Sequence, residues 1–162
     1  MAYQDDIKKA AALLLPWNKL SGCNILVTGA TGLIGGCLVD VLMAHKGRNY
    51  NVYASGRNEE RAGRRFLKYA DDNSFHFVKY DVAHPLEYDV NFQYIIHAAS
   101  GAYPEEFIKH PVEVIKGNIN GVDNLMGYGI QHGIKRLLYI SSGEVYGEGD
   151  GRVFTENYSG YV

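Results

Sequence analysis

Cysteine is scarce in this sequence: Cys23 and Cys37 are the only two among 162 residues. Two thiols cannot build the disulfide framework of a small secreted domain, so a reducing compartment is the default. Neither sign of charge dominates, since 16 Lys and Arg against 18 Asp and Glu leave a formal net charge of −2. That balance gives no electrostatic footprint for nucleic acid or for an anionic membrane. Long hydrophobic runs are also missing. The longest near the start, residues 10–15, is far too short to cross a bilayer. Asp5 and Asp6 stand where a secretory signal would carry positive charge. A disordered composition is excluded in turn, because 46% of residues are hydrophobic and only 21% charged. These absences predict a soluble, cytoplasmic chain with enough apolar surface for one sizeable core, and no motif that calls for a metal.

Glycine is the one excess, at 19 residues, about 12% against an average of roughly 7%. Fourteen of the 19 fall in three clusters: Gly29, Gly32, Gly35 and Gly36; then Gly117, Gly121, Gly127, Gly129 and Gly133; then Gly143, Gly147, Gly149, Gly151 and Gly160. Residues 5–15 read as a short amphipathic helix stopped by Pro16, so residues 1–19 form an amino-terminal helical extension with Trp17 as its anchor. Residues 20–162 read as one domain in which strands and helices alternate. Strands are predicted at 24–28, 52–55, 75–80, 92–97 and 136–141, and helices at 33–45, 59–69 and 111–132. The run Asn24-Ile25-Leu26-Val27-Thr28 is almost wholly apolar, as a parallel strand buried on both faces requires. Pro111 takes the tolerated first-turn position of the last helix. Gly117 and Gly121 within it each cost about 1 kcal/mol of helix propensity, which makes sense where another element approaches closely. Cys23 and Cys37 read as small core residues. This alternation implies right-handed crossovers and a Rossmann-like, doubly wound parallel sheet in the order 3-2-1-4-5.

Between the first strand and the first long helix lies Thr28-Gly29-Ala30-Thr31-Gly32-Leu33-Ile34-Gly35. Bare N–H groups at a helix start, with the helix dipole behind them, hold a pyrophosphate well. The backbone must approach closely there, so a Cβ is a liability at Gly29 and Gly32, while Gly35 lets the helix press on the sheet. With its G-x-x-G-x-x-G spacing, the stretch from Leu26 to Gly35 resembles the opening signature of the extended short-chain dehydrogenase/reductase family, the NAD(P)-dependent nucleotide-sugar epimerases and dehydratases. The likeness runs from about Leu20 to Gly147. It implies an NAD(P) cofactor held by Gly29, Ala30, Thr31, Gly32, Leu33, Ile34 and Gly35.

The end of the second strand reaches the adenosine ribose in such folds. An acid there would bond the ribose hydroxyls and repel a 2′-phosphate, but this chain has Ser55-Gly56-Arg57-Asn58. Arg57 is suited to pair with a 2′-phosphate, with Arg61 one turn on, which favours NADP over NAD. The plain alternative is that both arginines open a solvated basic helix with Arg64 and Arg65. By resemblance, Asp81 and Val82 serve the adenine. His97-Ala98-Ala99-Ser100 lines the cofactor at the end of the fourth strand, small residues letting the backbone pass beside ribose and phosphate. Asn118 matches the family's helix asparagine, and Ser141 joins the cofactor set. The same helix joins a dimer interface in the family, so a homodimer is expected.

Ile140-Ser141-Ser142-Gly143-Glu144-Val145-Tyr146-Gly147 follows the fifth strand, where open α/β sheets bind ligands. The resemblance makes Ser142 and Glu144 catalytic. Ser142 would hydrogen-bond the sugar's C4 oxygen, and Glu144 would act at C5 of a 4-keto intermediate. In 4,6-dehydratases an Asp precedes that Glu, whereas decarboxylases of UDP-glucuronate have Ser; here Gly143 stands in the place, which weakens the dehydratase reading. The family's base is a Tyr four residues before a Lys, and no Lys of this chain has a Tyr in that position. Tyr158 and Tyr161 have no Lys after them and are not taken as the base. The 162 residues therefore read as the amino-terminal, cofactor-binding part of a longer nucleotide-sugar dehydratase, decarboxylase or epimerase, inactive alone. Two other readings stay open: a non-catalytic dinucleotide-binding or redox-sensing module, and a simple ketone reductase.

Overall fold

A computed structural model describes residues 2–101, 104–158 and 160. Five parallel strands line up in the order β3-β2-β1-β4-β5. They are β1 (Asn24–Thr28), β2 (Asn51–Gly56), β3 (Phe75–Lys79), β4 (Tyr94–His97) and β5 (Arg136–Tyr139). The chain leaves β1 in one direction to build β2 and β3, then returns to its other side for β4 and β5. That reversal opens a crevice beyond the carboxyl end of β1. The register sets Ile25 beside Val52 and Tyr94, and Gly56 beside Lys79.

The apolar strand residues divide between two cores because successive side chains point to opposite faces. On one face Ile25, Val27, Val52 and Ala54 pack with Val39, Leu42 and Met43 of α2 (Leu33–Ala44) and Phe66 of α3 (Glu59–Phe66). On the other, Leu26, Tyr53, Val78 and Ile95 pack with Phe92 and with Leu125 and Tyr128 of a long helix, Pro111–Gln131. The central strand is thus covered on both sides, which is why it reads as an unbroken apolar run.

Several boundaries differ from the sequence reading. The amino-terminal helix, α1, spans Ala2–Ala11 rather than 5–15. Pro16 disfavours helical geometry at Leu15, and the Trp17 indole N–H donates to Leu13 O at 2.9 Å. The chain therefore turns out of the helix early and leaves Leu13, Leu14 and Leu15 exposed. Trp17 does anchor the extension, stacking on His45 with ring centroids 4.1 Å apart. The helix after β2 stops at Phe66 and continues as a 3-10 turn, Leu67–Tyr69. A short helix not anticipated from the sequence, α4 (Pro104–Lys109), precedes the long one, α5 (Pro111–Gln131). Cys23 is buried as expected, but Cys37 is only half-buried. No helix among the described residues is long and apolar enough to cross a membrane.

One buried carboxylate ties α1 to α2 and α3. Asp40, on α2, has no solvent exposure. It accepts hydrogen bonds from Tyr3 Oη at 2.6 Å and Tyr69 Oη at 2.9 Å, and it pairs with Arg65 at 2.6 Å and Lys68 at 2.9 Å. Arg65 is thus part of this cluster rather than of a solvated basic face. Burial alone would raise the Asp40 pKa, but bonds from Arg65, Tyr3, Lys68 and Tyr69 outweigh it and hold the carboxyl at about 2. The folded-state value lies below the unfolded one, so the stabilisation is complete above the unfolded value near 4 and fades as pH falls towards 2. Asp40→Asn removes the counter-charge of two cations that keep some water contact, and should destabilise the fold by about 2–4 kcal/mol. Urea denaturation of both proteins checks this: the gap should be full at pH 7 and close as pH approaches 2.

Candidate functional site

The loop after β1 is built by exclusion of side chains. Gly29 has φ +65°, and a Cβ there would lie 2.6 Å from the Ala98 carbonyl carbon and 2.7 Å from Ala99 Cα. A Cβ at Gly35 would lie 2.8 Å from the Gly29 carbonyl carbon. Only glycine lets the β1–α2 turn and the end of β4 come this close. The Ala30 N–H donates to Ser55 O at 3.0 Å and moors the loop to β2 as well. Gly32 precedes α2 in extended geometry, and no side chain caps the helix. The first-turn N–H groups of Leu33, Ile34 and Gly35 therefore have no intrahelical partner and face the sheet's carboxyl edge. Leu33 and Ile34 expose their side chains there, whereas Ala30 and Gly35 are buried and Thr31 is half-buried. An uncapped helix start hemmed by backbone is a cradle for an anion.

At the end of β2 the chain opens a shallow cleft lined by Thr31, Arg57, Asn58, Glu59, Glu60, Arg61 and Lys79. Asn58 caps α3, its side-chain oxygen accepting the Arg61 N–H at 2.8 Å. Arg57 and Arg61 are exposed, and among the described residues neither pairs with an acid. A Cβ at Gly56 would meet only the Thr31 side chain at 3.5 Å, an ordinary contact. After β3, Asp81 is half-buried and one of its oxygens accepts the Ala83 N–H at 3.1 Å, closing a turn. Asn124 of α5 donates to Val82 O at 2.9 Å and fixes the loop from the other side.

His97 ends β4 fully enclosed, sharing a 2.7 Å hydrogen bond between its Nδ1 and Thr28 Oγ1. Burial pushes its pKa down, so the ring is neutral near pH 7. Its Nε2 has no hydrogen-bond partner among the described residues and faces Gly121, where a Cβ would lie 3.1 Å away. The close approach expected along α5 is therefore met at Gly121, whereas Gly117 faces open space. A ligand at this edge would meet the backbone of Ala98, Ala99 and Ser100 rather than the imidazole. Asn118 is half-buried on α5, three residues before Gly121. Ser141, Ser142 and Glu144 are exposed beyond β5. The Ser142 hydroxyl accepts the Glu144 N–H at 3.3 Å and so caps the 3-10 turn Gly143–Tyr146. Tyr158 bonds to the Glu148–Asp150 loop, and Tyr161 lies outside the described residues.

The structure thus sets the glycine loop, Arg57, Asp81, the β4 end and the Ser142–Glu144 turn along one edge of the sheet, because all five strands are parallel. Leu33, Ile34 and Gly35 come from the first turn of α2, and Asn118 comes from α5. Lys79 and Asn124 were not singled out by sequence. Lys79 was findable only through the β2–β3 register that places it beside Gly56. At the loop, Gly35→Ala should overpack a backbone contact that cannot yield, costing about 1–3 kcal/mol. A thermal melt checks that loss; an unchanged midpoint would refute the close packing.

The NAD dependent epimerase/dehydratase family model matches residues 25–161. UDP-glucuronic acid decarboxylase 1 of Danio rerio is 32% identical over 140 residues, 85% of this chain and 32% of that protein. UDP-glucuronic acid decarboxylase 6 of Arabidopsis thaliana is 34% identical over 145 residues, 88% of this chain and 40% of that one. The chain therefore spans a third to two fifths of the length of these relatives. Among solved structures, the UDP-glucose-4-epimerase of Stenotrophomonas maltophila, with NAD and formylated UDP-arabinopyranose bound, superposes with a TM-score of 0.68 at 25% identity. That superposition covers 85% of this chain and 42% of the epimerase. On the family match, the strand order and the glycine loop together, this chain belongs to the NAD-dependent epimerase/dehydratase family.

Proposed function

We propose that this chain is the cofactor-binding part of an NAD(P)-dependent enzyme that works on a nucleotide sugar through a 4-keto intermediate. The observation that carries the reading is the shared edge: an uncapped helix start beside β1, cations beside β2, and a Ser and a Glu beyond β5. An enclosed glycine cradle is what a pyrophosphate needs, since a Cβ at Gly29 or Gly35 would run into backbone. Bound NAD(P) supplies reversible hydride exchange with the sugar. Ser142 would hydrogen-bond the C4 oxygen, and Glu144 would move a proton at C5 once C4 is a ketone. Glu144 favours chemistry at C5, dehydration or decarboxylation, over simple 4-epimerisation, and several relatives carry the name UDP-glucuronic acid decarboxylase. Asp81 and Val82 would meet the adenine, and Ala98 to Ser100, Asn118 and Ser141 the rest of the dinucleotide.

Arg57 and the absence of an acid at Gly56 support NADP as the preferred form. The same reading includes a cytoplasmic homodimer, for which α5 offers exposed Val112, Ile115, Ile119, Met126 and Ile130.

Two measurements test the proposal on the full-length protein. Calorimetric titration should give tighter binding of NADP than of NAD. Gly56→Asp, whose Cβ would meet only the Thr31 side chain at an ordinary 3.5 Å, should reverse that order; equal affinities in the wild type would end the NADP preference. Separately, Glu144→Gln should lower kcat by about a hundredfold or more if C5 chemistry is performed. A variant with undiminished turnover would instead indicate an epimerase or a ketone reductase.

A further inference from the structure

The ribose end of the cleft holds two acids as well as its cations, and they are not left free. Glu59 pairs with Lys79 at 2.9 Å, and Glu60 pairs with Arg64 one helical turn on. Both Glu59 and Lys79 are largely exposed, with 62% and 64% of their side-chain surfaces open to water. Lys79 is the last residue of β3 and lies in register with Gly56, the β2 position from which an NAD-type acid would reach the ribose. The bond from Tyr80 N–H to Gly56 O at 3.1 Å fixes that register. Lys79 therefore stands across the cleft from the start of α3, and its ammonium is held over Glu59.

We propose that Lys79 is a positioning residue that sets cofactor selectivity: by binding Glu59 it keeps an uncompensated carboxylate away from a 2′-phosphate and leaves Arg57 and Arg61 as the net charge there. This rests on the reading of the cleft as the adenosine-ribose site. Without Lys79, Glu59 would face the same space as an incoming phosphate, and two like charges at that range repel through only partly screening water. NAD, which has a hydroxyl in place of that phosphate, has no charge to be repelled. Lys79 thus discriminates by cancelling a repulsion, and the attraction comes from Arg57.

Calorimetric titration of NADP and of NAD against the full-length protein, in wild type, Arg57→Gln, Lys79→Gln and Lys79→Gln/Glu59→Gln, tests this. The expected result is a wild type that prefers NADP and an Arg57→Gln variant that loses the preference. Lys79→Gln should lower the NADP-to-NAD affinity ratio by about three- to tenfold at low salt, less at high salt. The double variant should regain the wild-type ratio, because the acid that Lys79 restrained is gone. If Arg57→Gln erodes the preference but Lys79→Gln leaves it intact, or the double variant fails to recover, the role of Lys79 is overturned while the cofactor reading survives. A wild type that binds NAD as well as NADP overturns both. Circular dichroism melts of the four proteins control for folding, and exposed positions such as these should leave the midpoint within a few degrees.

Discussion

The close backbone packing around Gly29 and Gly35 governs how the rest of the molecule is arranged, because it brings β1, the loop, α2 and the end of β4 together with no side chain between them. Gly29 takes a positive φ and lies against Ala98 and Ala99, while Gly35 lies against Gly29 itself. A methyl group at either place would push α2 off the sheet or push β4 away from β1. The geometry fixes where the helix begins, and so aims its unpaired N–H groups along the sheet edge. The packing of α2 and the aim of those N–H groups therefore depend on the same contacts. The helix dipole is useful at this edge only because the turn is tight enough to place the helix start beside the strand end.

Asp40 meets a related demand on the outer side of α2. A helix pressed against the sheet at its start needs to be held along its length, and Asp40 does this from a fully buried position by gathering Tyr3, Arg65, Lys68 and Tyr69. The Arg65 guanidinium also lies where a Cβ on Gly36 would be, 3.0 Å away, so the second glycine of α2 makes room for the ion pair. Helices α1, α2 and α3 are thereby joined through a single carboxylate. A buried ion cluster of this kind gains little over a hydrophobic packing but is costly to break halfway.

Much of this was legible in the residues, and the parts that were not share a cause. The strand order followed from alternation and from the apolar run at β1, both of which are local. The glycine loop was legible because its glycines recur at a fixed short spacing between strand and helix, although Ala98 and Ala99, the partners that require Gly29, lie far along the chain. The Asp40 cluster was not, since its partners lie 25 to 37 residues away on three elements whose spacing carries no shared period. Lys79 was hidden for the same reason: its meaning depends on a strand register that no single stretch states. The early end of α1 goes with Pro16, which disfavours helix at Leu15, and with a side-chain bond from Trp17 to Leu13. His97 was read as cofactor-lining, and its enclosure with Thr28 shows how a strand-end residue can reach the edge by backbone and the core by side chain.

The charge pattern along the edge gives the proposed chemistry a direction. The chain as a whole carries a net charge of −2, yet at the β2–β3 end Glu59 and Glu60 are each neutralised by a cation, which leaves Arg57 and Arg61 dominant. At the β5 end Glu144 is an exposed carboxylate, on a turn capped by Ser142. A dinucleotide lying across the crevice, on the proposed reading, would set its phosphorylated adenosine at the cationic end and its reacting ring towards the end that carries an acid. Reversing the ligand would place a 2′-phosphate near Glu144 and leave the arginines without a partner. On that reading the same separation of charge would both select the cofactor and orient it, through side chains on the strand ends, the turns beyond them and the start of α3, whose positions the parallel sheet fixes.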